Sequence, residues 1–124
     1  MKNLVYISGP ITQGDQFSNV QKAIEAFNDL LSAGVYAFCP HFTAFAHMSY
    51  PRPHGEWMRL DVEAMLPRCN AVWRLPGVSV GADEECREAR RLGIPVFDQF
   101  SDVIRWHQAR EQSEDRSVIT EGAI

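Results

Sequence analysis

The stretch Leu75–Gly93, LPGVSVGADEECREARRLG, reads as the end of a strand, a Gly/Ser loop and then a helix. Small or apolar side chains at Ala82, Cys86, Ala89 and Leu92 recur at helical spacing and mark an inward face, and Gly93 closes the helix. Glu85 falls inside that stripe, between Ala82 and Ala89. The other charged residues, such as Asp83, Arg87 and Arg90, mostly fill the remaining faces. A carboxylate turned inward, in the first turn of a helix that leaves a glycine loop, is out of place in a purely structural helix. The helix dipole and nearby N–H groups favour its charged form there. Glu85 is the candidate reactive group.

The rest of the chain sets strand–helix units around this one. Leu4-Val5-Tyr6-Ile7 is a wholly apolar run, as a central parallel strand covered on both faces requires, and it stops at Ser8-Gly9-Pro10. After a loop over residues 9–18, Val20, Ala23, Ile24, Phe27, Leu30 and Leu31 form one helical stripe that ends at Gly34. Val35–Cys39 is a second strand, and residues 41–54 form a long connection rich in histidine and aromatic residues. Residues 55–66 return to helical period with Met58, Val62, Met65 and Leu66 inward, and Pro67 stops them. Ala71–Leu75 and Ile94–Phe97 are further strands, and a last, weakly amphipathic helix runs from Ser101 to Arg110. Residues 111–124 read as a polar, mobile tail unless they dock on a partner. The expectation is one domain over residues 1–110, an α/β three-layer sandwich whose parallel sheet has four to five strands. Its ligand belongs at the carboxyl ends of the strands, where the loops after Ile7, Cys39 and Leu75 converge.

Composition narrows what such a domain serves. The chain has 124 residues, enough for a single core, and no apolar run long enough to span a bilayer. Its start, Met-Lys-Asn followed at once by a strand, does not read as a signal peptide. A net charge of −4 argues against a nucleic-acid backbone as partner, since that affinity comes from clustered Lys and Arg. Cys39, Cys69 and Cys86 are odd in number, far apart and without a Cys-x-x-Cys pair. They read as buried thiols of a cytoplasmic protein rather than a disulfide framework.

Two loops, Ser8-Gly9-Pro10-Ile11 and Val78-Ser79-Val80-Gly81-Ala82, place small residues before a helix or its approach, where backbone N–H groups receive anions. Neither is a Walker A loop or a Gly-x-Gly-x-x-Gly turn, and ordinary tight βα turns account for the pattern equally well. Asp61 borders its helix's inward stripe between Met58 and Met65, a position that, taken alone, more often belongs to a boundary residue than to a catalyst. With Glu85 it supplies two carboxylates directed at one crevice, the minimal equipment for cleaving a glycosidic bond. Tyr6 is placed either to hydrogen-bond one of them or to fill the core. His41, His47 and His54 match no usual zinc spacing, so no metal is expected. Contact of His41 or Trp57 with a nucleobase is a better reading than a metal, and Trp57 as a packed helix residue is a better one still.

Val5-Tyr6-Ile7-Ser8-Gly9-Pro10-Ile11-Thr12, then Trp57-Met58-Arg59-Leu60-Asp61, then Leu75-Pro76-Gly77 and Ser79-Val80-Gly81-Ala82-x-x-Glu85 occur in that order over residues 4–97. As an ordered set they resemble the nucleoside 2-deoxyribosyltransferase superfamily, above all its small branch common in phages and bacteria. The resemblance implies a Rossmann-like (flavodoxin-like), oligomeric, cofactor-free domain that cleaves the N-glycosidic bond of a nucleoside or nucleotide. It puts the nucleophile at Glu85, an aspartate near sugar and base at Asp61, and the tyrosine that orients the nucleophile at Tyr6. Ser79 stands where transferases acting on free deoxynucleosides carry an aspartate, as in members that hydrolyse 5′-monophosphates. Phosphate would then rest on Ser8, Gly9, Ser79 and Gly81. Thr12 replaces an arginine of those hydrolases, and Asn70 replaces a common aspartate. The expectation is a hydrolase of (deoxy)nucleoside 5′-monophosphates, with base exchange between deoxynucleosides and non-catalytic nucleotide binding as alternatives.

Overall fold

In the computed structural model, which describes residues 2–122 and side chains as far as Asp115, four short strands lie parallel. They are β1 (Leu4–Ser8), β2 (Tyr36–Phe38), β3 (Ala71–Arg74) and β4 (Val96–Phe97), in the order β2-β1-β3-β4. Tyr6 is in register with Phe38 on one side and Val72 on the other, and Ser8 with Arg74. The chain crosses from β1 outward to β2 and then returns to β3, so strand order reverses beside the carboxyl end of β1. A crevice opens at such a point.

Because successive strand residues face opposite sides, the sheet makes two cores. Val5, Ile7, Ala71 and Trp73 pack with Ala23, Ala26 and Leu30 of α1 (Gln16–Ser32) and Val103 of α5 (Phe100–Gly122). Tyr6 and Val72 face Cys86 and Ala89 of α4 (Val80–Arg91), together with Leu66 and Cys69. This is the expected three-layer, Rossmann-like sandwich, and all three cysteines are free and buried in it. Both α1 and α4 end on a glycine of positive φ, Gly34 and Gly93, whose following N–H bonds back to Leu30 and Ala89 carbonyls.

Several expectations need correction. Residues 41–54 are not one loop: a single 3₁₀ turn over Pro40–Phe42 leads into α2 (Thr43–Ser49), and α3 (His54–Met58) begins at their end. No residue of α2 is buried, so it carries no inward stripe to betray it. The expected helix over 55–66 is α3 followed by a widened π turn over Arg59–Met65 and a 3₁₀ turn over Leu66–Arg68. Leu31 and Leu92, expected inward, are exposed at the C-terminal ends of their helices. The last helix continues past Arg110 through most of the expected polar tail of residues 111–124, as far as Gly122, and residues 123–124 lie outside the described residues. Among the described residues no helix is long and apolar enough to cross a membrane.

Candidate active site

The β1–α1 and β3–α4 loops meet through their glycines. A Cβ on Gly9 would stand 3.0 Å from Leu75 Cβ, and one on Gly77 would stand 2.8 Å from Pro10 Cγ. Arg74 braces the second loop by donating to the carbonyls of Leu75 and Gly77 and to Asp83 Oδ1, the last two at 2.9 and 3.1 Å. Part of what makes these segments recognisable is therefore mutual packing. By contrast, nothing lies within 4 Å of a Cβ built on Gly81, which faces open space at the start of α4.

A cavity of about 630 Å³ opens beside these loops, within the range of small-molecule sites. Glu85 and Asp61 both line it, although each residue is more than nine-tenths buried. Glu85 sits in the second turn of α4, not the first, so the charge at the helix terminus does not reach it. Two β1 hydroxyls meet it instead. Tyr6, fully buried, donates its phenolic hydrogen to Glu85 Oε2, and Ser8 Oγ lies 3.2 Å from Oε1 and 3.3 Å from the Ala82 carbonyl oxygen. Burial pushes the Glu85 carboxyl up to about 8 and that of Asp61 up to about 7. The expectation of a helix-stabilised anion at Glu85 is thus reversed in sign and in cause. Asp61 lies within the π turn, and its Oδ1 is buried with no hydrogen-bond partner among the described residues. An unpaired carboxyl oxygen on a cavity wall is costly unless a ligand or water answers it.

The anion cradle differs in detail from its sequence reading. Ser79 caps α4, its Oγ accepting from Ala82 N–H at 3.1 Å. Gln13 reaches across from the first loop, its Oε1 accepting from Val80 N–H at 2.8 Å. Ser79 retains a hydroxyl hydrogen to offer and Gly81 a backbone N–H, whereas the N–H groups of Val80 and Ala82 are engaged. Of the residues expected to bind substrate, Gly9, Ile11, Ser79, Gly81, Ala82 and Trp57 line the cavity. Ser8 stands behind it, on Glu85, and Pro10 presents its carbonyl to His41, whose Nε2 lies 2.9 Å away. His41 is fully buried and does not line the cavity, and burial lowers its pKa; it supports the first loop rather than meeting a base.

Sequence reading missed Gln13, Thr43, Arg52 and the use of His47 and His54, all on the lining. His47 and His54 were noticed only as unconvincing metal ligands, and among the described residues no group of three His, Cys, Asp or Glu side chains is placed to hold a metal. Thr12 lines the cavity, so no cation stands there. Asn70 lies elsewhere: its Oδ1 accepts from Leu4 N–H at 2.8 Å, a service a carboxylate performs equally well, so this departure from the resemblance is chemically mild. Burial raises the Cys39 thiol to about 11 and that of Cys69 to about 12, which leaves both protonated and unreactive at neutral pH.

A family model described as a domain of unknown function, DUF7768, matches residues 3–99. No curated protein matches the chain. Among solved structures, a 2-deoxyribosyltransferase from the psychrotolerant bacterium Bacillus psychrosaccharolyticus is similar to it, with a TM-score of 0.52 and 21% identity. That likeness covers 75% of this chain and 69% of the other, and at such identity it is a likeness of fold.

Proposed function

Since the chain belongs to the DUF7768 family, a domain of unknown function, we propose its activity from its own site: hydrolysis of the N-glycosidic bond of a (deoxy)nucleoside 5′-monophosphate. The observation that carries this reading is the Glu85 carboxylate, buried, held by the Tyr6 and Ser8 hydroxyls, and lining one cavity with Asp61. The fold shared with a 2-deoxyribosyltransferase supports the same class of chemistry.

In the proposed reaction Glu85 attacks the anomeric carbon as the bond to the base nitrogen breaks through an oxocarbenium-like state. Its carboxylate must be ionised: burial pushes its pKa up to about 8, so the reactive form grows as pH rises through that value, and the hydrogen bond from Tyr6 favours it. Asp61, whose Oδ1 lies buried on the cavity wall with no partner among the described residues, is the group placed to carry a proton and give it to the departing base. Water then attacks the glycosyl–Glu85 ester, Asp61 recovers its proton from that water, and sugar phosphate leaves with net retention. The phosphate is met by the Gly81 N–H and the Ser79 hydroxyl, where a Cβ finds open space. No cofactor takes part in these steps.

The test is incubation with a panel of nucleosides and their 5′-monophosphates, with free base read by chromatography. Base and sugar phosphate are expected from monophosphates and not from nucleosides, and Glu85→Ala abolishes release. Diversion of the sugar to an added acceptor base identifies a transferase instead. Tight binding without turnover, unchanged in Glu85→Gln, identifies a non-catalytic nucleotide-binding domain.

A further inference from the structure

One cavity residue has its hydrogen-bonding polarity set by its neighbours. His47 lines the cavity from α2, and its Nδ1 accepts two N–H groups, from the Trp57 indole at 2.8 Å and from the Arg52 backbone at 3.2 Å. Both are donors without acceptor capacity, so the ring hydrogen of the neutral imidazole stands on Nε2. Nε2 has no partner among the described residues. The Trp57 ring meets the imidazole edge-on, with centroids 5.9 Å apart and planes at 76°, which fixes the ring's setting as well as its tautomer. His47 therefore offers the cavity a hydrogen-bond donor and no acceptor.

The surroundings indicate what that donor meets. Trp57, Met58 and Ala44 lend the same lining apolar and aromatic surface. The nearby guanidinium of Arg52 is shared with Glu56 Oε2 at 3.6 Å, so this wall carries little net positive charge for a phosphate. A planar heterocycle with an acceptor on its edge fits such a wall better than a dianion, which has Gly81 and Ser79 on the α4 wall.

We infer that His47 reads the base, and that the cavity takes nucleotides whose base presents a carbonyl oxygen, 6-oxopurines and 4-oxopyrimidines, in preference to their amino counterparts. An amino group at that edge would set donor against donor and leave both unpaired, a mismatch that separates otherwise similar ligands by tenfold or more. This inference rests on the proposed nucleotide substrate and names the part of it that the site selects.

The test is titration of full-length Glu85→Gln, which preserves the nucleotide, with inosine against adenosine 5′-monophosphate and uridine against cytidine 5′-monophosphate, in ribo and 2′-deoxy forms. Calorimetry is expected to show the oxo member of at least one pair bound ten times more tightly or better. Adding His47→Phe brings the oxo member down to the level of the amino member, which itself is unmoved. Adding Trp57→Phe, which keeps a ring but removes one of the two donors that set the tautomer, narrows the preference. Equal affinities, an amino preference, equal losses for both members in His47→Phe, or no binding of any nucleotide would each overturn the inference. Base release by the wild-type chain is followed on the same nucleotides. Equal release from oxo and amino members leaves the hydrolase reading standing without this one. Selective binding that depends on His47, with no release, leaves this inference standing without the hydrolase.

Discussion

The Tyr6 hydroxyl and the Glu85 carboxylate, seventy-nine residues apart, share a hydrogen bond sealed between the sheet and α4. Tyr6 is fully buried on the central strand and packs at 5.6 Å from the Phe38 ring, so its hydroxyl has no freedom to turn elsewhere. The pair couples the sheet's core to the cavity: Tyr6 holds one carboxylate oxygen and Ser8 lies beside the other, both from β1, while the residue lines the cavity.

Tyr6→Phe removes the hydroxyl with little change of shape. A hydrogen bond donated to a carboxylate favours the charged form, so its loss raises the Glu85 pKa further. We expect kcat to fall roughly 10- to 100-fold, with the acid limb of the pH–rate profile moved to higher pH. An unshifted limb in Tyr6→Phe would show that the hydroxyl does not govern Glu85 ionisation.

Stability should run against the usual trend for carboxylates. The Glu85 pKa rises on folding from 4.5 to about 8, so between those values the folded chain holds a proton that the unfolded chain releases. Stability contributed by this group is present at pH 4.5 and is lost as pH rises toward 8. Glu85→Gln abolishes that loss. At pH 8.5 it should exceed the wild type by roughly 2–4 kcal/mol, the shift being discounted for the hydroxyl bonds that favour the charge, and it should show no such gain at pH 4.5. Urea melts of both chains at the two pH values measure this.

How far the sequence foretold the molecule follows from the range of each interaction. Apolar runs and helical stripes are local, and they located β1, β3, α1 and α4 and turned Glu85 inward. The same local logic failed where packing leaves no trace: α2 buries nothing, and the π turn that buries Asp61 keeps a helical pattern while changing the number of residues per turn. The Gln13–Val80 bond spans sixty-seven residues, and the Trp57–His47 bond crosses a turn with prolines at 51 and 53. Neither has a spacing to read. His41 misled because a histidine beside a strand end looks like a ligand contact, whereas its ring is spent on the Pro10 carbonyl.

A polar clasp far from the cavity provides a contrast. Near the amino end of β1, Asn3 Nδ2 donates to His107 Nδ1 at 2.9 Å, and Arg110 Nε donates to Asn3 Oδ1 at 2.8 Å, tying α5 to the sheet. Asn3 and His107 are both buried. Asn3→Ala strands the imidazole nitrogen and should destabilise the fold by about 1–3 kcal/mol. Turnover measured well below the melting temperature should equal that of the wild type, since this end of β1 is opposite the site.

Three glycines separate packing from binding. Gly77 has φ +117°, and a side chain there would meet Pro10 Cγ at 2.8 Å, so Gly77→Ala suffers both backbone strain and a clash. Gly9→Ala brings its methyl to 3.0 Å from Leu75 Cβ, which only a backbone shift relieves. Both should lower stability, by about 1–3 kcal/mol each, and lower activity along with it. Gly81 is in the first turn of α4 with nothing within 4 Å of a Cβ. Gly81→Ala should leave stability unchanged or raise it by up to ~1 kcal/mol through helix propensity. Its methyl would occupy the approach to the Gly81 N–H, so KM for the monophosphate should rise at least tenfold. A Gly81→Ala chain with wild-type KM would place the phosphate elsewhere in the cavity. Loss of stability with unchanged KM would instead make this glycine a packing residue like the other two.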